Sequence, residues 1–115
     1  MSSLVVTEGN ILCLITGKMR KETPEEYVRQ EYCRILLDVY KYPKENIGLE
    51  FSIKQGSSTT RADIVVFNDK HKSQDNIYLI IETKKKQETE GIEQLFSYMT
   101  STTATFGVWT NGGGV

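Results

Sequence analysis

Two apolar runs, Arg61–Phe67 (RADIVVF) and Ile77–Lys84 (IYLIIETK), limit the fold more than any other part of the chain. Both have the length and β-branched content of core strands, and each carries one carboxylate, Asp63 in the first and Glu82 in the second. A polar loop, Asn68–Asn76, separates them. Upstream, Leu49, Phe51 and Ile53 alternate with Glu50, Ser52 and Lys54, the period of a half-buried strand. Gly56-Ser57-Ser58 then supplies a turn. Three strands in succession predict a meander.

Helical signals bracket that meander. Thr23-Pro24-Glu25-Glu26 is a helix start, with Thr23 as cap, Pro24 at the first helical position and Glu26 completing a capping box. Val28, Tyr32, Ile35, Leu36 and Val39 recur at helical spacing, so the helix is predicted to reach about Tyr40 and stop before Pro43. A second helix is expected from Glu88 to about Thr100, with Ile92, Leu95, Phe96 and Met99 as its apolar stripe. Ala104–Thr110 (ATFGVWT) reads as a fourth strand, joined to the third through that helix as a crossover. Near the N-terminus, Leu4–Val6 and Ile11–Ile15 flank Gly9-Asn10 as a small hairpin or added edge strand, and Gly17–Lys21 reads as a basic connector. The expectation is an α/β fold, a mixed sheet flanked by helices, with residues 1–22 as an extension and 23–115 as the core. The closing run Asn111-Gly112-Gly113-Gly114-Val115, directly after a core strand, suggests a core cut from a longer chain.

At 115 residues the chain holds one domain, able to bury roughly two-thirds of the surface its unfolded form exposes. With 38% apolar and 25% charged residues it is not collagen-like, coiled-coil or disordered. No apolar run approaches the roughly 20 residues of a membrane helix, and no secretory signal opens the chain. Cys13 and Cys33 have neither CxxC spacing nor a histidine nearby, which fits a reduced cytoplasmic chain without structural zinc. A net charge of −1 argues against nucleic-acid binding by bulk electrostatics. Any such contact needs a local site.

Asp63, Glu82 and Lys84 form the one constellation with chemistry in it. An antiparallel hairpin centred between Lys72 and Ser73 places Asp63 opposite Glu82. Like charges facing each other across a ladder destabilise it unless compensated, and a divalent cation compensates them. Magnesium suits such a pair, because one or two carboxylates usually hold it while phosphate and water complete its octahedron. Lys84 lies two residues after Glu82 and shares its face, within reach of a phosphate. An isolated D…ExK match more often marks ordinary surface charges. Here the charges close core strands, where a site is better supported.

The other polar residues say less. Lys84-Lys85-Lys86 with Arg61 and Lys54 could line a phosphate strip, although a solvated charge run is the default for such residues. Gln94 and Tyr98, four apart, share a side of the second helix away from its apolar stripe. Glu31 falls at the edge of the first helix's stripe. His71 has no ligand partner at useful spacing, and Trp109 and Phe106 read as packing residues.

Together these residues resemble the PD-(D/E)xK nuclease superfamily, and more closely the N-terminal nuclease domain of type I restriction enzyme R subunits. The likeness is carried by TPEEYVRQEY (Thr23–Tyr32), RADIVVF, LIIETKKK (Leu79–Lys86), QLFSY (Gln94–Tyr98) and VWTNG (Val108–Gly112), in the family's order. It implies a restriction-endonuclease-like fold and a magnesium-dependent DNA endonuclease in which manganese would substitute. Asp63 and Glu82 would be metal ligands, Lys84 the catalytic lysine, and Gln94 and Tyr98 a QxxxY motif beside the active site. The family's frequent further acid on the first helix would fall on Glu31 here. Ala62 stands where the superfamily's proline would be. The resemblance also implies other restriction-modification subunits and a helicase-like motor in the full-length protein. No GxxxxGK[ST] loop is present, so ATP would not be bound through one by this chain. Cleavage is expected without intrinsic sequence preference. The alternatives are a non-catalytic DNA-contact or assembly module of the same fold, and a stand-alone repair or junction-resolving nuclease.

Overall fold

Thr23 begins the first helix as its sequence requires. In the computed structural model, which describes residues 4–84 and 91–111, helix α1 spans Pro24–Asp38, and the Thr23 hydroxyl accepts the Glu26 amide at 3.0 Å. The second half of the expected capping box does not form. Glu26 turns to Arg20, Arg29 and Gln30 instead, because two guanidinium groups outbid one backbone amide for a carboxylate. The helix ends two residues before the expected Tyr40. Lys41 is left-handed (φ 61°), and the Tyr42 amide closes back on the Leu36 carbonyl at 3.0 Å.

Two sheets form. The smaller joins β1 (Val6–Thr7), β2 (Asn10–Leu12) and β3 (Met19–Lys21), all antiparallel. The hairpin between β1 and β2 turns on Glu8-Gly9, both with positive φ, as a two-residue connection of this kind requires. β3 corrects the expectation of a connector: Gly17–Lys21 contributes a strand, with Arg20 half-buried between exposed Met19 and Lys21. Alternation was hidden there because the inward residue is a charge seeking a partner.

The larger sheet has the order β4-β5-β6-β7. β4 (Ile47–Gln55), β5 (Ser58–Phe67) and β6 (Ile77–Thr83) form the expected antiparallel meander. Helix α2 (Ile92–Ser101) then crosses over, and β7 (Phe106–Thr110) pairs with β6 in parallel. The arrangement is mixed α/β and compatible with a restriction-endonuclease-like fold. The expected start of α2 at Glu88 lies outside the described residues.

Each face of the sheet carries its own core. Cys33 and Leu36 of α1 pack with Ile47, Ile64, Val66, Leu79 and Ile81. On the other face Leu95 and Tyr98 of α2 pack with Ile53, Ala62, Val65, Phe67, Ile77 and Ile80. The stripe expected on α2 is therefore rotated. Ile92 and Phe96 are exposed, while Tyr98 is 1% exposed and belongs to the core. Gly107 of β7 explains part of this, since a Cβ there would meet Met99 Sδ at 2.9 Å and Leu95 Cδ1 at 3.2 Å. The helix sits close at Gly107, and that contact sets its rotation. Among the described residues no helix is long and apolar enough to cross a membrane.

Candidate active site

The β5–β6 ladder runs through Val66↔Leu79, Val65↔Ile80 and Ile64↔Ile81. The next rung brings Asp63 to Glu82, as the hairpin centred between Lys72 and Ser73 requires; a register shift falls only further along, at Val66/Phe67. At that rung side chains replace backbone partners. The Asp63 amide donates to Glu82 Oε1 at 3.3 Å, and the Thr83 amide donates to Asp63 Oδ2 at 2.9 Å. The Thr83 hydroxyl adds a second bond to the same Asp63 oxygen at 3.3 Å. Thr83 and Glu82 are both buried, while Asp63 is half-buried.

Glu82 is out of balance electrostatically. Burial, at 4% exposure, and then the charge of Asp63 push its carboxyl up to about 7. The Asp63 amide and the Lys84 ammonium pull the other way, and Glu25, in the first turn of α1, adds to the rise. The acids of β5 and β6 thus oppose each other here. Glu31, the expected first-helix acid, pairs with Arg34 at 2.6 Å on the exposed side of α1.

Lys84 leaves the end of β6, its amide bonded to the Thr110 carbonyl at 2.9 Å. Its side chain lies across Gly91, the residue that caps α2: a Cβ on Gly91 would meet Lys84 Cε at 2.8 Å and Trp109 Nε1 at 3.3 Å. Tyr98 approaches from below, its hydroxyl donating to the Arg61 carbonyl at 2.8 Å and hydrogen-bonded with the side chains of Thr60 and Gln94. Burial first, and then the charges of Glu82 and Asp63, raise the Tyr98 hydroxyl above its ordinary value, even though the Thr60 and Gln94 bonds act to lower it. Asp63, Glu82, Lys84, Gln94 and Tyr98 therefore come together.

Among the described residues no three His, Cys, Asp or Glu side chains form a metal-ligand group, so the site offers a carboxylate pair. Arg61 and Lys54 are exposed nearby in sequence, and Lys85 and Lys86 lie outside the described residues. The His71 amide is bonded to Asp69 in the exposed loop, away from this cluster. Trp109 packs on the α2-side core, and Phe106 is an exposed edge residue stacked edge-on with Tyr78.

The family model described as type I restriction enzyme R protein N terminus (HSDR_N) matches residues 24–115. The chain belongs to this family. No curated protein and no solved structure matches it. The match to the R-protein N terminus begins at the first residue of α1 and takes in every residue of the Asp63–Glu82 site, with β1 to β3 lying before it. Membership gives this R-protein N-terminal domain a role in a restriction system.

Proposed function

We propose that this R-protein N-terminal domain is a magnesium-dependent endodeoxyribonuclease, hydrolysing DNA phosphodiesters without intrinsic sequence preference. The observation that carries the reading is the opposed pair Asp63 and Glu82, with Lys84 two residues on. Buried carboxylates are ordinarily paired with a cation or bound to a metal. Glu82 has a second carboxylate against it, and its raised pKa expresses that deficit of positive charge. The donor set is oxygen only, which suits magnesium, and Asp63 and Glu82 would hold it.

Bound there, magnesium would supply Lewis-acid polarisation of a phosphoryl oxygen and a water of lowered pKa. The remaining work falls to the chain. Thr83 fixes the Asp63 carboxylate so that the pair keeps one geometry. Lys84 sets a positive charge against the non-bridging oxygens as negative charge grows on them. Tyr98, tied to the Arg61 carbonyl, holds α2 and so Gln94 beside the pair. A water oxygen bonds to phosphorus as that water gives up a proton, the bond to the leaving oxygen breaks, and the leaving oxygen takes up a proton. DNA is the substrate. Site choice and translocation belong to partner subunits and a helicase-like motor in the full-length protein, acting in the cytoplasm.

Plasmid nicking and linearisation with magnesium or manganese, beside Asp63→Ala and Lys84→Ala, tests the reading. Metal-dependent cleavage that both substitutions abolish supports it. Cleavage that survives both removes the site assignment. Silence from every protein, repeated in the full-length subunit, leaves a DNA-contact or assembly module in its place.

A further inference from the structure

Strands β4 and β5 exchange faces of the sheet at a single rung. Ile47 and Leu49 pack with the α1-side core, whereas Phe51 and Ile53 pack with the α2-side core. Residues two apart on a straight strand share a face, so β4 turns over between Leu49 and Phe51. β5 does the same, with Ile64 and Val66 on the α1 side and Ala62 on the α2 side. Between these pairs lie Glu50 and Asp63. The ladder, otherwise continuous from Ile47↔Val66 to Gln55↔Ser58, skips that one rung.

Glu50 adopts the left-handed conformation, with φ 52°. A side chain with a Cβ is strained there, and such strain persists only where neighbours over-determine it. The neighbour here is Arg20, whose Nη2 lies 2.7 Å from Glu50 Oε1. Arg20 is itself held by Glu26 at 3.0 Å, so β3, α1 and β4 meet in one ion-pair chain.

We propose that Glu50 is a positioning residue for Asp63: its left-handed backbone turns β4 over, β5 follows, and the Asp63 carboxylate is left at the turning point against the Thr83 amide. The functional consequence rests on the reading of Asp63 as a metal ligand, but the geometry is testable without metal or DNA. Glu50→Gly, Glu50→Ala and Glu50→Val all remove the Arg20 partner and differ in how well they tolerate a left-handed backbone. Amide hydrogen exchange at Thr83, read against Val65 and Ile80 as internal references, reports the Asp63 bond.

Thr83 protection is expected to stay within about twofold of wild type in Glu50→Gly and to fall about tenfold or more in Glu50→Val, with the references little changed. Glu50→Ala should lie between them. Manganese affinity, measured by calorimetry, is expected in the same order. Equal Thr83 protection in the glycine and alanine variants overturns the proposal, and that comparison decides it if Glu50→Val does not fold. If protection follows the expected order but the wild-type chain binds no manganese and cuts no DNA, the positioning role stands and the metal reading of Asp63 falls.

Discussion

Thr83 holds the Asp63 carboxylate twice, from its amide at 2.9 Å and from its hydroxyl at 3.3 Å. An amide oxygen can still accept both bonds, more weakly than a carboxylate but without opposing Glu82. Asp63→Asn is therefore expected to leave the thermal midpoint equal or higher. Asp63→Ala strands the amide of Thr83, a residue 1% exposed, and should cost about 1–3 kcal/mol. Calorimetric melting of the two variants checks this, and a clearly lower midpoint for Asp63→Asn would contradict the opposed-carboxylate arrangement.

Glu82 should leave a mark on the pH dependence of stability. Its folded pKa, near 7, stands above the unfolded value, so protonated Glu82 favours the fold. That contribution is complete below about pH 4.3 and is lost as pH rises through 7. Glu82→Gln does not ionise. Its stability relative to wild type should grow between pH 5 and pH 8, by of order 2 kcal/mol in denaturant titrations without divalent metal. A pH-independent difference would show that Glu82 is not strained in the folded chain.

Glu26 behaves in the opposite sense. Burial alone would raise its pKa, but hydrogen bonds from Arg29 and Gln30 and the charges of Arg29 and Arg20 outweigh burial and lower it. Its contribution is present at neutral pH and disappears as pH falls through the depressed folded value. Glu26→Ala removes the ion-pair partner of half-buried Arg29 and is expected to destabilise the chain by roughly 3 kcal/mol at pH 7. It should also raise proteolytic cutting within β1 to β3, which Arg20 and Gln30 tie to α1. Limited proteolysis reads the second effect separately from the first.

Gly91 is where a small change should reach Lys84. An alanine there must take φ near 102° and push aside the Lys84 chain. Gly91→Ala is expected to cost about 1–3 kcal/mol and to lower cleavage further than that loss of stability explains. Comparing cleavage well below the melting transition for both proteins separates the two effects.

How far this structure is legible from sequence differs between its parts for physical reasons. The Asp63–Glu82 rung follows from counting, because an antiparallel hairpin with apolar strands admits few registers. The cap at Thr23 and the crossover to β7 follow from local chemistry and from the order of elements. Tyr98 was obscured because a helical wheel sorts residues by polarity, while its hydroxyl is satisfied inside the core by the Arg61 carbonyl. Glu31 stands at the edge of the α1 stripe on the same wheel, and the structure adds that it pairs with Arg34 one turn on. β3 and the left-handed Glu50 depend on Arg20, a contact between segments far apart in the chain that no local pattern encodes.

The pairing of Leu79 with Phe106 and of Thr83 with Thr110 also bears on the order in which the molecule is assembled. The β4–β5–β6 meander closes over short connections, whereas β7 returns only after the whole of α2. Long loops are closed late, so Asp63 and Glu82 should meet in the folding transition state before Thr110 anchors Lys84. Substitutions in β7 are then expected to speed unfolding and leave the folding rate nearly unchanged, and those in β5 to slow folding, in stopped-flow chevrons. The acids of the site would be in place before its lysine.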